Sequence, residues 1–174
     1  MQETVTNLLK NKCPLFLEHF QNEIVGADDF RGDLTVEIQS RSIRKAAHFL
    51  LSENLPKMDL LLDLFAVDYL KYEGPHTERF AVIYNFSSLF EKRRIRLKIF
   101  LPESNPEVDS LTSVTPTANW FEREAWDLYG IRFTGHPNLQ RILCHHEFEG
   151  HALRKDYPAD KYQRLKTAAP STGF

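Results

Sequence analysis

Arg94-Ile95-Arg96-Leu97-Lys98-Ile99-Phe100-Leu101 sets the fold class. Ile95, Leu97, Ile99 and Leu101 fall on one side of a period-two repeat, with Arg94, Arg96 and Lys98 on the other. That pattern belongs to a strand with one face in a core. Upstream, residues 80–86 read as a second strand, and residues 60–69 as a third, apolar enough to be buried on both faces. Residues 87–93 make the turn between the first two. Residues 71–78, with Gly74-Pro75 at the tip, make the preceding hairpin connection. Leu34-Thr35-Val36-Glu37-Ile38 alternates as a half-buried strand. Ser42 is placed to cap a helix running to about Asn54, with Ile43, Ala46, Ala47 and Leu50 at helical spacing and Pro56 as its stop. Residues 5–24 read as one or two short helices, with Pro14 in a first turn and Leu17, Phe20 and Ile24 on one side. Sequential antiparallel strands preceded by a strand–helix pair predict an α+β fold. Its single mixed or antiparallel sheet carries helices mainly on one face.

Downstream the pattern changes. Residues 108–111 allow a short helix, and residues 118–129 form a firmer one. Phe121, Ala125, Leu128 and Tyr129 give the latter an apolar stripe that docks on the sheet, and Gly130 suits a left-handed end. Beyond Gly130 the periodicity is lost, and residues 131–174 hold three of the nine prolines. The chain therefore divides into a core domain, 1–130, and an extended arm, 131–174, that needs a surface to lie on.

Composition excludes several functions. The 174 residues carry 22 Lys and Arg against 24 Asp and Glu, a net charge of -2, which lacks the basic surplus of a nucleic-acid binder. Two cysteines, Cys13 and Cys144, cannot supply the four thiolates of a common iron–sulfur cluster. No glycine run makes a dinucleotide fingerprint or a phosphate-binding loop. Met1-Gln2-Glu3 opens no signal peptide, and no apolar run reaches the roughly 20 residues of a membrane span.

Three local constellations invite chemistry. Cys144, His145, His146, Glu147, Glu149 and His151, with His136 nearby, are potential metal ligands. However, His146 and His151 are five residues apart, which on a helix turns the imidazoles about 140° from one another. Cys144 beside His145 and His146 offers a nucleophile and a base, but adjacent residues seldom reach hydrogen-bond geometry. Glu122, Glu124 and Asp127 could serve acid–base work, although Arg123, four residues before Asp127, is expected to neutralise it. The bland reading of the first is polar surface or interface residues on an irregular arm, and that of the third a salt-linked structural helix. Trp120 and Trp126 sit among Glu122, Glu124 and Asp127 on the side of the helix away from its stripe, as at a protein interface. In the arm Arg141, Arg154 and Lys155 alternate with Glu147, Glu149, Asp156 and Asp160, suiting fixed ion pairs with a partner.

Two longer runs carry a family resemblance. The first is Trp120-Phe121-Glu122-Arg123-Glu124-Ala125-Trp126-Asp127-Leu128-Tyr129-Gly130-Ile131-Arg132-Phe133, continued by Gly135-His136-Pro137-Asn138-Leu139 and Arg141-Ile142-Leu143. The second is Phe148-Glu149-Gly150-His151 with Leu153-Arg154-Lys155-Asp156-Tyr157-Pro158. Together with Leu62-Asp63-Leu64, Val67-Asp68-Tyr69 and Arg79-Phe80-Ala81-Val82-Ile83-Tyr84-Asn85, they resemble the thirty-kilodalton (C-type) subunit of proton-translocating NADH:quinone oxidoreductase, respiratory complex I. Gln140 and Ala152 depart from that pattern, standing where a basic residue and a proline are usual.

The resemblance implies a non-catalytic scaffold of the peripheral arm, clasping the forty-nine-kilodalton (D-type) protein that helps form the quinone site, alongside other peripheral-arm subunits. FMN, iron–sulfur clusters and quinone are expected in those partners and no cofactor in this chain. The expected location is peripheral on an energy-coupling membrane, at the cytoplasmic face of a bacterial inner membrane or the matrix side of a mitochondrial one. Glu122, Arg123, Glu124 and Asp127 would form interfacial ion pairs, and Trp126, with Trp120, an aromatic anchor. Gly130, His136 and Pro137 would set the turns that start the arm. Arg141, Arg154, Lys155 and Asp156 would pin it to the partner. An equivalent subunit of a related hydrogenase or ferredoxin-fed complex is the alternative. A stand-alone metallo-enzyme using His136, His145, His146 and His151 is the reading from a different class.

Overall fold

A computed structural model describes residues 2–52, 57–74, 76–161 and 163. Two helices, α1 (Gln2–Lys12) and α2 (Pro14–Phe20), lead into a hairpin of β1 (Ile24–Phe30) and β2 (Asp33–Ile38). A 3-10 turn, Ser40–Ser42, runs into α3 (Ile43–Leu51). Then come β3 (Leu60–Asp68), β4 (Phe80–Ser88), β5 (Arg93–Leu101), β6 (Glu107–Asp109), α4 (Ala118–Tyr129) and β7 (Arg132–Thr134). The main sheet is mixed, in the order β1-β2-β5-β4-β3, with β2 parallel to β5 and every other pair antiparallel. β6 and β7 form a separate parallel pair.

Register explains why one face is the core. Ile95, Leu97, Ile99 and Leu101 stand opposite Phe86, Tyr84, Val82 and Phe80 of β4. Leu64 and Ala66 of β3 continue that row beyond Tyr84 and Val82, and Leu34 and Val36 of β2 flank Ile95 and Leu97. These side chains are buried together with Ala46 and Ala47 of α3 and Ala125 of α4. Phe16 and Phe20 of α2 pack against Phe49 of α3 at ring distances of 6.0 and 5.5 Å. On the opposite face Arg96 reaches Asn85 at 3.0 Å and Thr35 at 3.2 Å, completing a polar row.

Several sequence expectations are corrected. Ile24 lies in β1 rather than on a helix. The run Val25-Gly26-Ala27-Asp28-Asp29 lacks alternation and becomes a strand through pairing with β2, with an irregularity between Ile24 and Gly26. β3 is an edge strand and is not buried on both faces, since Leu62 is 48% and Phe65 41% exposed. Residues 107–109 extend instead of coiling, because Val108 pairs with Phe133. Ser42 precedes α3 without a side-chain capping bond, the preceding 3-10 turn having taken over the entry. The expected helix end at Asn54, the stop at Pro56 and the tip residue Pro75 lie outside the described residues. Among the described residues, no helix is long and apolar enough to cross a membrane.

Candidate functional site

An α-helix ends with four carbonyls that lack helical partners. In α4 these belong to Trp126, Asp127, Leu128 and Tyr129, and the following segment meets each of them. Gly130, left-handed at φ 76°, donates its N–H to the Trp126 carbonyl at 2.8 Å. His151 Nδ1 lies 2.9 Å from the Asp127 carbonyl, and since a carbonyl only accepts, the ring donates from that nitrogen. The Leu153 N–H donates to Leu128 at 3.0 Å, and Arg154 Nε to Tyr129 at 2.6 Å. Cations at this end also oppose the helix dipole. The arm lies on its own helix.

Asp127 organises the fold-back. Its side chain is fully buried, and Oδ2 accepts N–H bonds from Ile142, Leu143 and Cys144, each at 2.9 Å. Arg141 Nη1 reaches Oδ1 at 2.5 Å, while its Nη2 donates to the carbonyls of Phe148 at 2.7 Å and Gly150 at 2.9 Å. The same guanidinium lies 5.7 Å from the Trp126 ring centre and 5.4 Å from that of Phe148. Burial alone would raise the Asp127 pKa. The N–H bonds of Cys144, Ile142 and Leu143 and the Arg141 contact outweigh it and hold the group at about 2.

A second anchor fixes the arm to the sheet. Arg79 grips Asp68 with two bonds, Nε to Oδ1 at 3.1 Å and Nη2 to Oδ2 at 2.9 Å, and also pairs with Glu103 and, at 2.8 Å, with Asp156. The backbone N–H of Lys155 donates to Asp68 Oδ2 at 2.8 Å. Burial opposes the Asp68 carboxylate, yet Arg79 and the N–H groups of Lys155 and Leu70 hold its pKa below the usual range.

Glu122 occupies a third, interior position. It is fully buried and accepts from Ser110 Oγ and from the Leu111 N–H, each at 2.6 Å. Burial dominates these two bonds and pushes its pKa up to about 7.

The expected interface residues thus separate. Glu122 and Asp127 are buried inside the chain, with their carboxylates bonded to its own groups. Arg141, not Arg123, neutralises Asp127. Arg123 instead donates to the carbonyls of Gln140 and Arg141, each at 3.0 Å, with its guanidinium 5.2 Å from the Trp120 ring centre. Arg154 and Asp156 make intramolecular bonds, and Gly130 caps α4. His136 Nε2 lies 3.2 Å from the Asn119 carbonyl, and its Nδ1 accepts from the Asn138 N–H at 3.0 Å. Trp126 is half-buried against Arg141 and His151. Trp120, Glu124, Pro137 and Lys155 remain exposed. Sequence reasoning omitted Leu143 and Leu153, which are 62% and 46% exposed beside Trp120 at 61%. It also omitted Asp68 and Arg79 as arm anchors. Their only sequence signal was an acid and an arginine at the facing ends of two apolar strands.

The chemical constellations do not assemble. His136 and His151 bond to separate backbone groups, His146 points outward beside Glu147 at 3.9 Å, and His145 packs edge-on against Phe148. Among the described residues, no three His, Cys, Asp or Glu side chains converge as metal ligands. Cys144 has its thiol pKa raised by burial and by Asp127, the reverse of nucleophile activation.

The sequence profile of the family described as "Respiratory-chain NADH dehydrogenase, 30 Kd subunit" matches residues 36–163. The C-type subunit of NADH-quinone oxidoreductase from Rhodospirillum rubrum is 43% identical over 144 residues, covering 83% of this chain and 65% of that protein. Its namesake in Acidithiobacillus ferrooxidans is 47% identical over 133 residues, covering 74% and 64%. The chain thus spans just under two thirds of the length of these relatives. Among solved structures, a trypsin-resistant fragment (1-134) of Nqo5 superposes with TM-score 0.63 at 31% identity, over 75% of this chain and 99% of the fragment. A chain of the archaeal membrane-bound sulfane sulfur reductase complex superposes with TM-score 0.71 over 92% of this chain and 98% of that one. At 17% identity that likeness concerns fold alone.

Proposed function

Because the chain belongs to the family of the 30-kDa subunit of respiratory-chain NADH dehydrogenase, we propose that it is a non-catalytic scaffold in the peripheral arm of a proton-translocating NADH:quinone oxidoreductase. It holds the forty-nine-kilodalton (D-type) protein that borders the quinone site, while FMN, iron–sulfur clusters and quinone reside in partner subunits. Its place is the cytoplasmic face of a bacterial inner membrane, or the matrix side of a mitochondrial one.

One observation carries this reading. The polar groups that tie the arm to α4 are consumed within the chain, yet Trp120, Leu143 and Leu153 stay largely exposed on the helix and the arm. Large apolar side chains held outward on a braced support suit protein contact, and aromatic anchors dominate such interfaces. Glu124 of α4 and Pro137 and Lys155 of the arm are exposed as well. The ion pairs contribute indirectly: Asp127–Arg141 and Asp68–Arg79 shape the surface and do not touch the partner.

The test is assembly. Trp120→Ala combined with Leu143→Ala should lower co-purification of the forty-nine-kilodalton protein with the tagged chain at least fivefold, leaving the melting temperature of the isolated chain within about 2 °C. Normal assembly of that variant would show that the contact lies elsewhere. Stoichiometric iron, flavin or zinc on the purified chain would overturn the non-catalytic assignment.

A further inference from the structure

The arm and its two anchors lie toward the end of the sheet where β3 finishes and β4 begins. The opposite end, about 26 Å away along the nine residues of β4, carries a second unusual surface. Two turns meet there, the β1–β2 tip at residues 30–33 and the β4–β5 tip at residues 88–93, held together because β2 and β5 are neighbours with Leu34 beside Ile95. Phe90 is 93% exposed, Leu89 69% and Phe30 63%. Between the tips runs a cleft of about 370 Å³ lined by Lys12, Asp33, Lys92, Arg93 and Arg94.

The chemistry of this end is uneven in charge. Lys12 is paired with Asp29 at 2.7 Å, and Arg93 with Glu91 at 3.4 Å. Lys92 and Arg94 are exposed cations at the cleft, and Asp33 is the single acid lining it among the described residues. Both tips also hold a long cation in left-handed backbone, Arg31 at φ 54° and Lys92 at φ 50°. Glycine or asparagine would fit such positions with less strain, so the chain retains basic side chains there at a conformational cost.

We propose that this end of the sheet is a second docking surface, which takes an acidic segment of a neighbouring protein with an apolar side chain seated on Phe90 and Leu89. Charge complementarity selects the acid, and the exposed aromatic and leucine side chains select the apolar anchor. A recessed cleft between two tips fits one extended segment. The surface is independent of the α4 region and gives the scaffold a contact at each end.

The experiment places the photo-crosslinking residue p-benzoylphenylalanine at position 90 of the full chain, produced in its own cell in place of the unmodified chain, with the same residue at position 120 as a separate probe of the α4 surface. The expected result at position 90 is one protein adduct whose crosslinked peptide is net acidic and contains a large apolar residue. Its yield should fall at least fivefold with Lys92→Glu and Arg94→Glu together, and also when the unsubstituted complex is raised from 50 to 500 mM salt. A lipid adduct, an adduct to a second copy of this chain, absence of a protein adduct, or a yield indifferent to both salt and charge reversal overturns the proposal. The salt arm decides the matter if the charge-reversed chain fails to fold. An adduct at 90 without one at 120 counts against the scaffold contact at α4 alone, and the converse against the second surface alone.

Discussion

Asp127 and Glu122 lie on one helix five residues apart, and their surroundings drive their pKa values in opposite directions. Asp127 gathers three N–H donors and a guanidinium, so its native pKa, about 2, lies below the ordinary 3.8. A lowered native pKa contributes stability that is present above about 3.8 and lost as pH falls through about 2. Asp127→Asn removes the charge opposite Arg141, which is 14% exposed. Leaving one member of a buried pair uncompensated costs about 3–5 kcal/mol. The variant should melt earlier and be cleaved by trypsin within residues 141–154 under conditions where the parent is resistant. Glu122 behaves in the reverse sense. Its native pKa of about 7 lies above the ordinary 4.5, so its contribution is complete below about 4.5 and is lost as pH rises through about 7. The difference amounts to about 3 kcal/mol. Glu122→Gln imitates the protonated acid and keeps an acceptor for Leu111. Urea midpoints of this variant should change little between pH 5 and 8, whereas those of the parent should fall.

At the scale of elements, α4 is where local and distant signals meet. Its bounds, 118–129, and its ending glycine follow from composition: apolar positions at helical spacing, then the one residue that enters left-handed backbone without strain. Which residues occupy its core-facing side did not follow as cleanly, because Glu122 is buried alongside Ala125 while Leu128 is only partly covered. Gly130 is constrained twice. Beyond its φ of 76°, a β-carbon there would stand 2.5 Å from His151 Nε2 and 2.6 Å from Arg154 Nη2. Gly130→Ala should cost more than the roughly 1–2 kcal/mol of left-handed backbone alone. Gly32, at φ 90° with nothing near its missing β-carbon, should show only the backbone cost. Comparing the thermal shifts of the two alanine variants separates the arm contact from the turn.

At the scale of the molecule, the last 30 or so described residues are attached at two points, the end of α4 and the Asp68–Arg79 end of the sheet. Arg79 serves three carboxylates, Asp68, Glu103 and Asp156. Arg79→Met should leave Asp68 buried without its cation. It should speed hydrogen exchange in residues 155–157 at least tenfold, with a much smaller change in residues 127–144, which Asp127 holds separately. Equal acceleration in both segments would show that the two anchors act as one.

Alternation in 94–101 and helical spacing in 43–50 and 118–129 are local patterns of apolar burial, and they determined the sheet, two of its helices and the fold class. Of these runs only 118–129 also carried the family resemblance, which rested otherwise on stretches within 62–69, 79–85 and 130–158. The conversion of 24–30 and 107–109 into strands depended on partners supplied from elsewhere in the chain, β2 for one and β7 for the other. The assignment of charges depended on distance in space as well. Arg123 is four residues from Asp127 and Arg141 fourteen, yet the nearer arginine is spent on the Gln140 and Arg141 carbonyls. Helix ends need partners for their last carbonyls and a buried carboxylate needs donors, and both needs are met by whichever segment the fold brings alongside. Tertiary structure therefore decided that Arg141 and Arg154 are spent on the chain's own carbonyls and on Asp127, and that Trp120, Leu143 and Leu153 face out.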